Sequence, residues 1–180
     1  DAQRDVDHVL KANPNNIAGI YLNALLLAKK GNLDKADDQL TKISPTFANL
    51  PSGYFLQATV KYALGQYEQA ATILAKCIAR LPDQIVPRQL LASIDLRKGD
   101  AAGAIAVMQP ILDKTPGNPT ALRLVAQAYM MSGQADQAVA AYQKAVDAAP
   151  EDTGRQTALA VVRLETGATF QGMSDVEKIA

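Results

Sequence analysis

Side chains able to do covalent or metal chemistry are scarce in this sequence. The single histidine, His8, and the single cysteine, Cys77, stand 69 positions apart. A metal ion is held by several His, Cys or carboxylate ligands at short, regular spacing, and no such set occurs, so no metal and no cofactor is expected. Thiol catalysis needs an accessible, activated cysteine, and Cys77 falls in a repeating register of the chain that is otherwise apolar. A phosphate cradle needs a glycine-rich loop between a strand and a helix, and no stretch alternates as a strand would. No catalytic, cofactor-binding or metal-binding residue is assigned, and the chain is read as not being an enzyme.

The elements that carry these residues explain why. From Pro119 to Pro150 the chain reads PTALRLVAQAYMMSGQADQAVAAYQKAVDAAP. Leu122, Val125, Ala126 and Tyr129 recur at helical spacing, and Ala138, Val139 and Tyr142 continue it after Ala135. Two amphipathic helices are predicted, joined by Ser132-Gly133-Gln134. Gly133 is placed where a helix ends by entering the left-handed region, which a Cβ disfavours.

This hairpin repeats. Steps of 34 from Gly133 reach Gly31, Gly65, Gly99 and Gly167 without a gap. Seven residues before each glycine stands Ala24, Ala58, Ala92, Ala126 or Ala160. Five residues after come Ala36, Ala70, Ala104 and Ala138, then Gly172, with Ala2 one period ahead of the first. Small residues in these registers let two helix backbones approach closely. A third register holds Pro14, Pro82, Pro116 and Pro150, which stop the second helix. Ala48 breaks it, and Ser44-Pro45 is expected to end that helix about one turn early. Cys77 shares its register with Val9, Ile43, Ile111, Ala145 and Ile179, so it is read as a buried small apolar residue. His8 is read as a partly exposed structural residue on the first helix.

A 34-residue helix-turn-helix with small residues at the crossing and a closing proline resembles the tetratricopeptide repeat. The resemblance covers the whole chain. It implies an all-α fold, a right-handed superhelix (α-solenoid) of antiparallel helix pairs. The array is read as one continuous domain over 1–180: a half repeat at 1–14, full repeats at 15–48, 49–82, 83–116 and 117–150, and an incomplete repeat at 151–180. Expected helices are 1–12, 16–30, 33–43, 52–64, 67–80, 85–98, 101–114, 119–132, 135–148 and 153–166, with Asp152 as N-cap of the last, followed by a short closing helix. Pro110 is expected to kink its helix. The large aromatic of the family near the start of each first helix is replaced by Ile20, Tyr54, Arg88, Leu122 and Gln156, which shifts the seam partly onto Leu22, Leu56, Leu90 and Leu124.

Composition narrows the functional classes. Hydrophobic residues make up 48% but aromatics only 5%, so the apolar content is mostly alanine and leucine, as helix pairs require. Lys plus Arg and Asp plus Glu are both 18, which leaves no net field to draw nucleic acid or an anionic membrane. No apolar run reaches the ~18 residues of a membrane span. The sequence begins within a second-type helix and stops within another, so it is read as a fragment of a longer protein. Its uncapped ends, through Val6, Val9 and Leu10 or Phe170, Met173 and Val176, are expected to self-associate end to end.

In tetratricopeptide arrays the first helix of each pair lines a concave groove that binds a protein or peptide. The resemblance therefore implies a partner-binding set at equivalent positions: Tyr21, Phe55, Thr59, Tyr62, Gln89, Ser93, Arg123, Gln127 and Met130. Aromatics would anchor the ligand and the amides would bond its backbone. Tyr21, Phe55 and Tyr62 can equally be packing between neighbouring first helices, and Met130-Met131 can be seam. Lys29-Lys30 and Arg97-Lys98 are read as charges that offset helix dipoles. Members that clamp a C-terminal carboxylate use lysine and asparagine where this chain has Tyr21, Leu25, Phe55 and Thr59, which disfavours a heat-shock co-chaperone role.

Residues 81–138 and 153–180 also resemble bacterial tetratricopeptide lipoproteins that accompany exopolysaccharide production and sorting of PEP-CTERM proteins. The shared features are Leu90-Leu91-Ala92, Pro110 in its helix, and Leu159-Ala160 to Leu164 before Gly167. That resemblance implies the periplasm or the outer membrane's inner face. The leading expectation is a protein-binding scaffold in such a system. The alternatives are a spacer whose function is length and stiffness, a cytoplasmic adaptor, or a carbohydrate-binding wall.

Overall fold

The computed structural model describes residues 2–167 and 169–179, without the side chains of 169–171 and 178. The chain forms α1 (Ala2–Ala12), α2 (Ile17–Lys29), α3 (Leu33–Ile43), α4 (Pro51–Ala63), α5 (Tyr67–Arg80), α6 (Ile85–Arg97), α7 (Ala101–Lys114), α8 (Pro119–Met131), α9 (Ala135–Asp147), α10 (Thr153–Glu165) and α11 (Thr169–Ile179). A short 3-10 turn, Ser44–Thr46, follows α3. Among the described residues there is no strand. The predicted helices are all present, with ends within about two residues, and the closing helix α11 is as long as α1 and α3.

Two compact units are present, Asp1–Pro87 and Arg88–Ala180. In the first, α1 packs on α2, α2 pairs with α3, α3 packs on α4, and α4 pairs with α5. In the second, α7 packs on α8, α8 pairs with α9, α9 packs on α10, and α10 pairs with α11.

The turn chemistry behaves as the period predicts. Gly31, Gly65, Gly99, Gly133 and Gly167 have φ of 78°, 74°, 82°, 72° and 86°, and no non-glycine residue described has a positive φ. At Gly133 the amide donates to the Met130 carbonyl at 3.1 Å and the next amide, Gln134, reaches Tyr129 at 2.9 Å. Gly31 with Asn32, Gly65 with Gln66 and Gly99 with Asp100 make the same two bonds. This paired pattern satisfies the last carbonyls of the preceding helix and requires one residue in the left-handed region.

A further 34-residue register lies at the helix starts. Asn16, Asn118 and Asp152 accept hydrogen bonds from the amides of Gly19, Ala121 and Arg155 at 2.8, 3.0 and 3.2 Å. Each ties down one of the orphan donors of α2, α8 or α10. At the equivalent position Leu50 makes no side-chain cap, and Pro51 opens α4 instead, its missing N–H being one of those orphans.

The two small-residue registers lie at the crossings. Ala24, Ala58, Ala92, Ala126 and Ala160 are 0% exposed, as are Ala36, Ala70, Ala104 and Ala138. Gly172 continues the second series where α11 meets α10, and a Cβ there would stand 2.7 Å from Leu164 Cγ and 3.0 Å from the Ala160 carbonyl oxygen. Ala2 departs from the series and is exposed.

Several expectations need correction. Of the four seam leucines, Leu56 and Leu124 are buried, but Leu22 is 46% exposed; the register that faces inward in α2 is that of Ile20 and Ala24. Val6 is buried against its own unit rather than offered to a partner, while Val9 is exposed. Met173 and Val176 are exposed on α11, and the side chain of Phe170 lies outside the described residues. Helix α7 runs through Pro110 to Lys114. Pro110 deprives the Ala106 carbonyl of its intrahelical donor, and beside it Arg88 donates from Nη1 to the Val107 carbonyl at 3.0 Å.

The segment between α3 and α4 holds a core residue. Phe47, just after the 3-10 turn, is fully buried. It joins Ile20, Leu40, Leu56 and Val60 in the core of the first unit and meets Tyr54 edge to face at 5.3 Å. The loss of the closing proline at Ala48 is thus accompanied by an inserted aromatic plug.

Candidate functional site

The expected binding residues are divided between the two units. In the first, Tyr21 on α2 is half-buried and packs against the core. Phe55 on α4 is half-buried, and Thr59 one turn later is exposed, its hydroxyl donating to the Phe55 carbonyl at 2.8 Å. Tyr62 meets Tyr67 edge to face at 5.4 Å across the α4–α5 turn, so an aromatic within its own hairpin orients it. The nearby turn is also pinned by Lys61, which bonds Asp37 at 2.7 Å and Gln66 at 2.9 Å.

In the second unit, Ser93 donates to the Gln89 carbonyl at 2.8 Å, which occupies its hydroxyl proton within α6. Arg123 is exposed and donates from Nη1 to Gln127 Oε1 at 3.2 Å, one turn along α8. Met130 packs against the α9 and α10 core, whereas Met131 is 49% exposed and does not belong to the seam. The geometry therefore assigns Tyr21 and Met130 largely to packing. It leaves Phe55, Thr59, Arg123 and Gln127 as the side chains most available on the first helices.

Arg123 also borders a cavity of ≈ 310 Å³ between the starts of α8 and α10, lined by Thr120, Tyr142, Asp152, Arg155 and Ala158 among others. Burial pushes the Tyr142 hydroxyl above its ordinary pKa, with the Arg123 charge opposing and Glu165 adding to the rise. Arg155 Nε lies 3.1 Å from Asp152 Oδ2, while the other carboxylate oxygen of Asp152 caps α10. Nη1 of Arg155 is buried and has no hydrogen-bond partner. The period-based groove positions do not include Arg155, because it lies two residues before the Arg123 register on α10. Only the packing of α8, α9 and α10 brings it to the same cavity.

The single cysteine and the single histidine lie outside the lining of this cavity. Cys77 is fully buried, its Sγ 3.9 Å from the Pro51 carbonyl oxygen, and burial raises its thiol pKa. A protonated, covered thiol is a poor nucleophile. His8 is exposed on α1. Among the described residues no group of three His, Cys, Asp or Glu side chains could hold a metal ion, and no helix is long and apolar enough to cross a membrane.

Comparison with known proteins bears on the repeat directly. A family model described as tetratricopeptide repeat matches residues 61–128 and again 95–162, two matches offset by one period and together spanning more than half of the chain. No curated protein sequence matches the chain. Among solved structures, MamA from Desulfovibrio magneticus RS-1 superposes with a TM-score of 0.80 at 20% identity, covering 92% of this chain and 94% of that one. YrrB, described as a TPR protein with an unusual peptide-binding site, superposes with a TM-score of 0.76 at 13% identity, covering 97% of this chain and 90% of that one. At these identities the likeness establishes the helix-pair solenoid fold.

Proposed function

This chain belongs to the tetratricopeptide repeat family, and from that premise we propose that the first helices of its pairs hold a peptide or helix of a partner protein in a bacterial envelope system for exopolysaccharide production or protein export. A protein-interaction scaffold is the role that the fold supports. The observation that carries this reading is made within each unit: half-buried Phe55 beside exposed Thr59 on α4 in the first, and exposed Arg123 beside half-buried Gln127 on α8 in the second. An aromatic anchor and charged or amide donors on equivalent helix positions suit a polypeptide ligand. YrrB, of the same fold, is described as having a peptide-binding site. The envelope setting and a periplasmic or outer-membrane location rest on the likeness of residues 81–138 and 153–180 to the lipoproteins of such systems.

The test is capture of proteins from a periplasmic extract by the chain and by its Tyr21→Ala, Phe55→Ala, Arg123→Ala triple variant. The variant should lose the captured partner while its melting curve stays cooperative. The packing of Tyr21 and Met130 into the core favours a second reading, a spacer. In that case the triple variant functions normally in cells, and deletion of one 34-residue unit does not.

End-to-end association belongs to the same reading. Leu40, Leu74, Met108 and Tyr142, which precede Val176 by successive periods, are buried, but Val176 is 45% exposed. Light scattering across a concentration series should show mass rising with concentration, and Met173→Ser, Val176→Ser should suppress it. A constant monomer mass would remove association from the account.

A further inference from the structure

We propose that the cavity between α8 and α10 is a carboxylate-binding subsite, in which Arg123 and Arg155 together receive an acidic side chain of a bound polypeptide. The inference rests on the scaffold reading and deepens it by assigning the ligand's chemistry at one place.

Three observations converge. Two guanidinium groups on neighbouring first helices line one cavity of ≈ 310 Å³, which has room for an acidic side chain and the backbone that bears it. The one carboxylate among the described residues on its wall, Asp152, is already engaged: Oδ1 caps α10 through the Arg155 amide at 3.2 Å, and Oδ2 faces Arg155 Nε at 3.1 Å. The guanidinium of Arg155 is therefore held at one edge while its Nη1 is buried without an acceptor. An unpartnered buried donor is unfavourable as it stands; since Nη1 is covered, the guanidinium must turn to meet an oxygen in the cavity that Arg155 lines. Arg123, exposed at the rim and tied only to Gln127, can supply the second donor.

Charge balance selects the ligand. Among the described side chains lining this cavity, two arginines against one aspartate leave a single excess positive charge, with Glu165 outside the lining but near enough to act on Tyr142. A monoanionic carboxylate neutralises it, whereas a phosphate dianion would overshoot and face the Asp152 carboxylate as well. Guanidinium also matches the two oxygens of a carboxylate with paired donors.

The subsite differs from the family's clamp for a C-terminal carboxylate, where Tyr21, Leu25, Phe55 and Thr59 stand in this chain. Arg155 lies outside the register of that clamp, and Tyr142 of a second-type helix contributes to the wall. Its ligand is consequently an internal Asp or Glu side chain that enters between two adjacent first helices.

The experiment uses the full chain and a fluorescently labelled oligoglutamate peptide followed by anisotropy, with oligoglutamine of the same length and inorganic phosphate as comparators. Oligoglutamate is expected to bind and oligoglutamine not to. Arg123→Gln and Arg155→Gln should each weaken binding about ten- to a hundredfold, the scale of a lost hydrogen bond to a charged group. Lys144→Gln, which removes an exposed positive charge from α9, should leave it unchanged. Arg123 is exposed, so its variant reports on the subsite even if Arg155→Gln disturbs the start of α10. Arg155→Lys should recover only part of the affinity, because an ammonium lacks the fork.

Equal binding by wild type and Arg123→Gln would overturn the proposal, as would an equal loss in Lys144→Gln. Competition by phosphate as strong as that by unlabelled peptide would also overturn it, by showing a general anion site. Selection of random displayed peptides on the same chain separates the two readings. Binders without acidic enrichment that depend on Phe55 would sink the subsite and leave the scaffold standing, whereas no binders of any kind would sink both.

Discussion

Phe47→Ala is expected to lower the unfolding free energy by about 3–5 kcal/mol, the range for truncating a fully buried phenylalanine. Phe47 is 0% exposed and is one of the largest completely buried side chains of its unit. Its removal would leave a cavity between the 3-10 turn and α4, whose walls are pinned by helices on either side and cannot collapse freely. Urea unfolding should show a lower midpoint with little change in slope. A loss below about 1 kcal/mol would mean that the segment closes over the gap and that the ring is dispensable.

A companion variant sharpens this result. Within a helix, Gly→Ala ordinarily stabilises by about 1 kcal/mol, but at Gly53 of α4 a Cβ would stand 2.3 Å from Phe47 Cδ1 and 2.9 Å from Cγ. Gly53→Ala should therefore destabilise the wild-type chain and recover or reverse sign in the Phe47→Ala background. The coupling between the two is measured by a double-mutant cycle, which returns zero if the contact is absent.

The second large effect is expected at the helix crossings. Ala126→Leu should cost about 1–3 kcal/mol, because three further heavy atoms must enter a fully buried crossing. Ala126 and Ala138 are both 0% exposed where α8 meets α9. Ala140→Leu, on the exposed face of α9, serves as the control and should be close to neutral. A melting curve unchanged by Ala126→Leu would contradict the assignment of this register to the closest approach of the pair.

These two effects differ in how they could be foreseen. The alanine and glycine registers recur every 34 residues, and a constraint imposed identically on each hairpin leaves an identical mark on the sequence. Leu22 shows the limit of that logic. It occupies the same register as buried Leu56 and Leu124 but is exposed, although Ile20 and Leu122, which also share a register, are both buried. Phe47 had no periodic counterpart to announce it, standing where the register's proline is absent and the turn is shortened.

The candidate site divides in the same way. Arg123 and Gln127 stood out from their positions on a first helix, and they do pair along α8. Tyr21 and Met130 occupied equally suitable positions, yet neighbouring helices draw them into the core. Arg155 was invisible as a site residue, since nothing in its local sequence distinguishes it from a helix-start arginine beside an N-cap aspartate.

The hairpin, its period, the left-handed glycine turns and the small residues at each crossing are legible in the order of amino acids, because these are local demands of backbone geometry renewed in every repeat. Helix packing sets which first-helix side chains remain available, that Phe47 plugs the irregular joint, and that Arg123 and Arg155 share a cavity. Those outcomes depend on which neighbouring helix covers a residue and on how closely it approaches. Side chains far apart in sequence meet only once the helices have packed, and no periodicity along one strand of chain encodes that meeting.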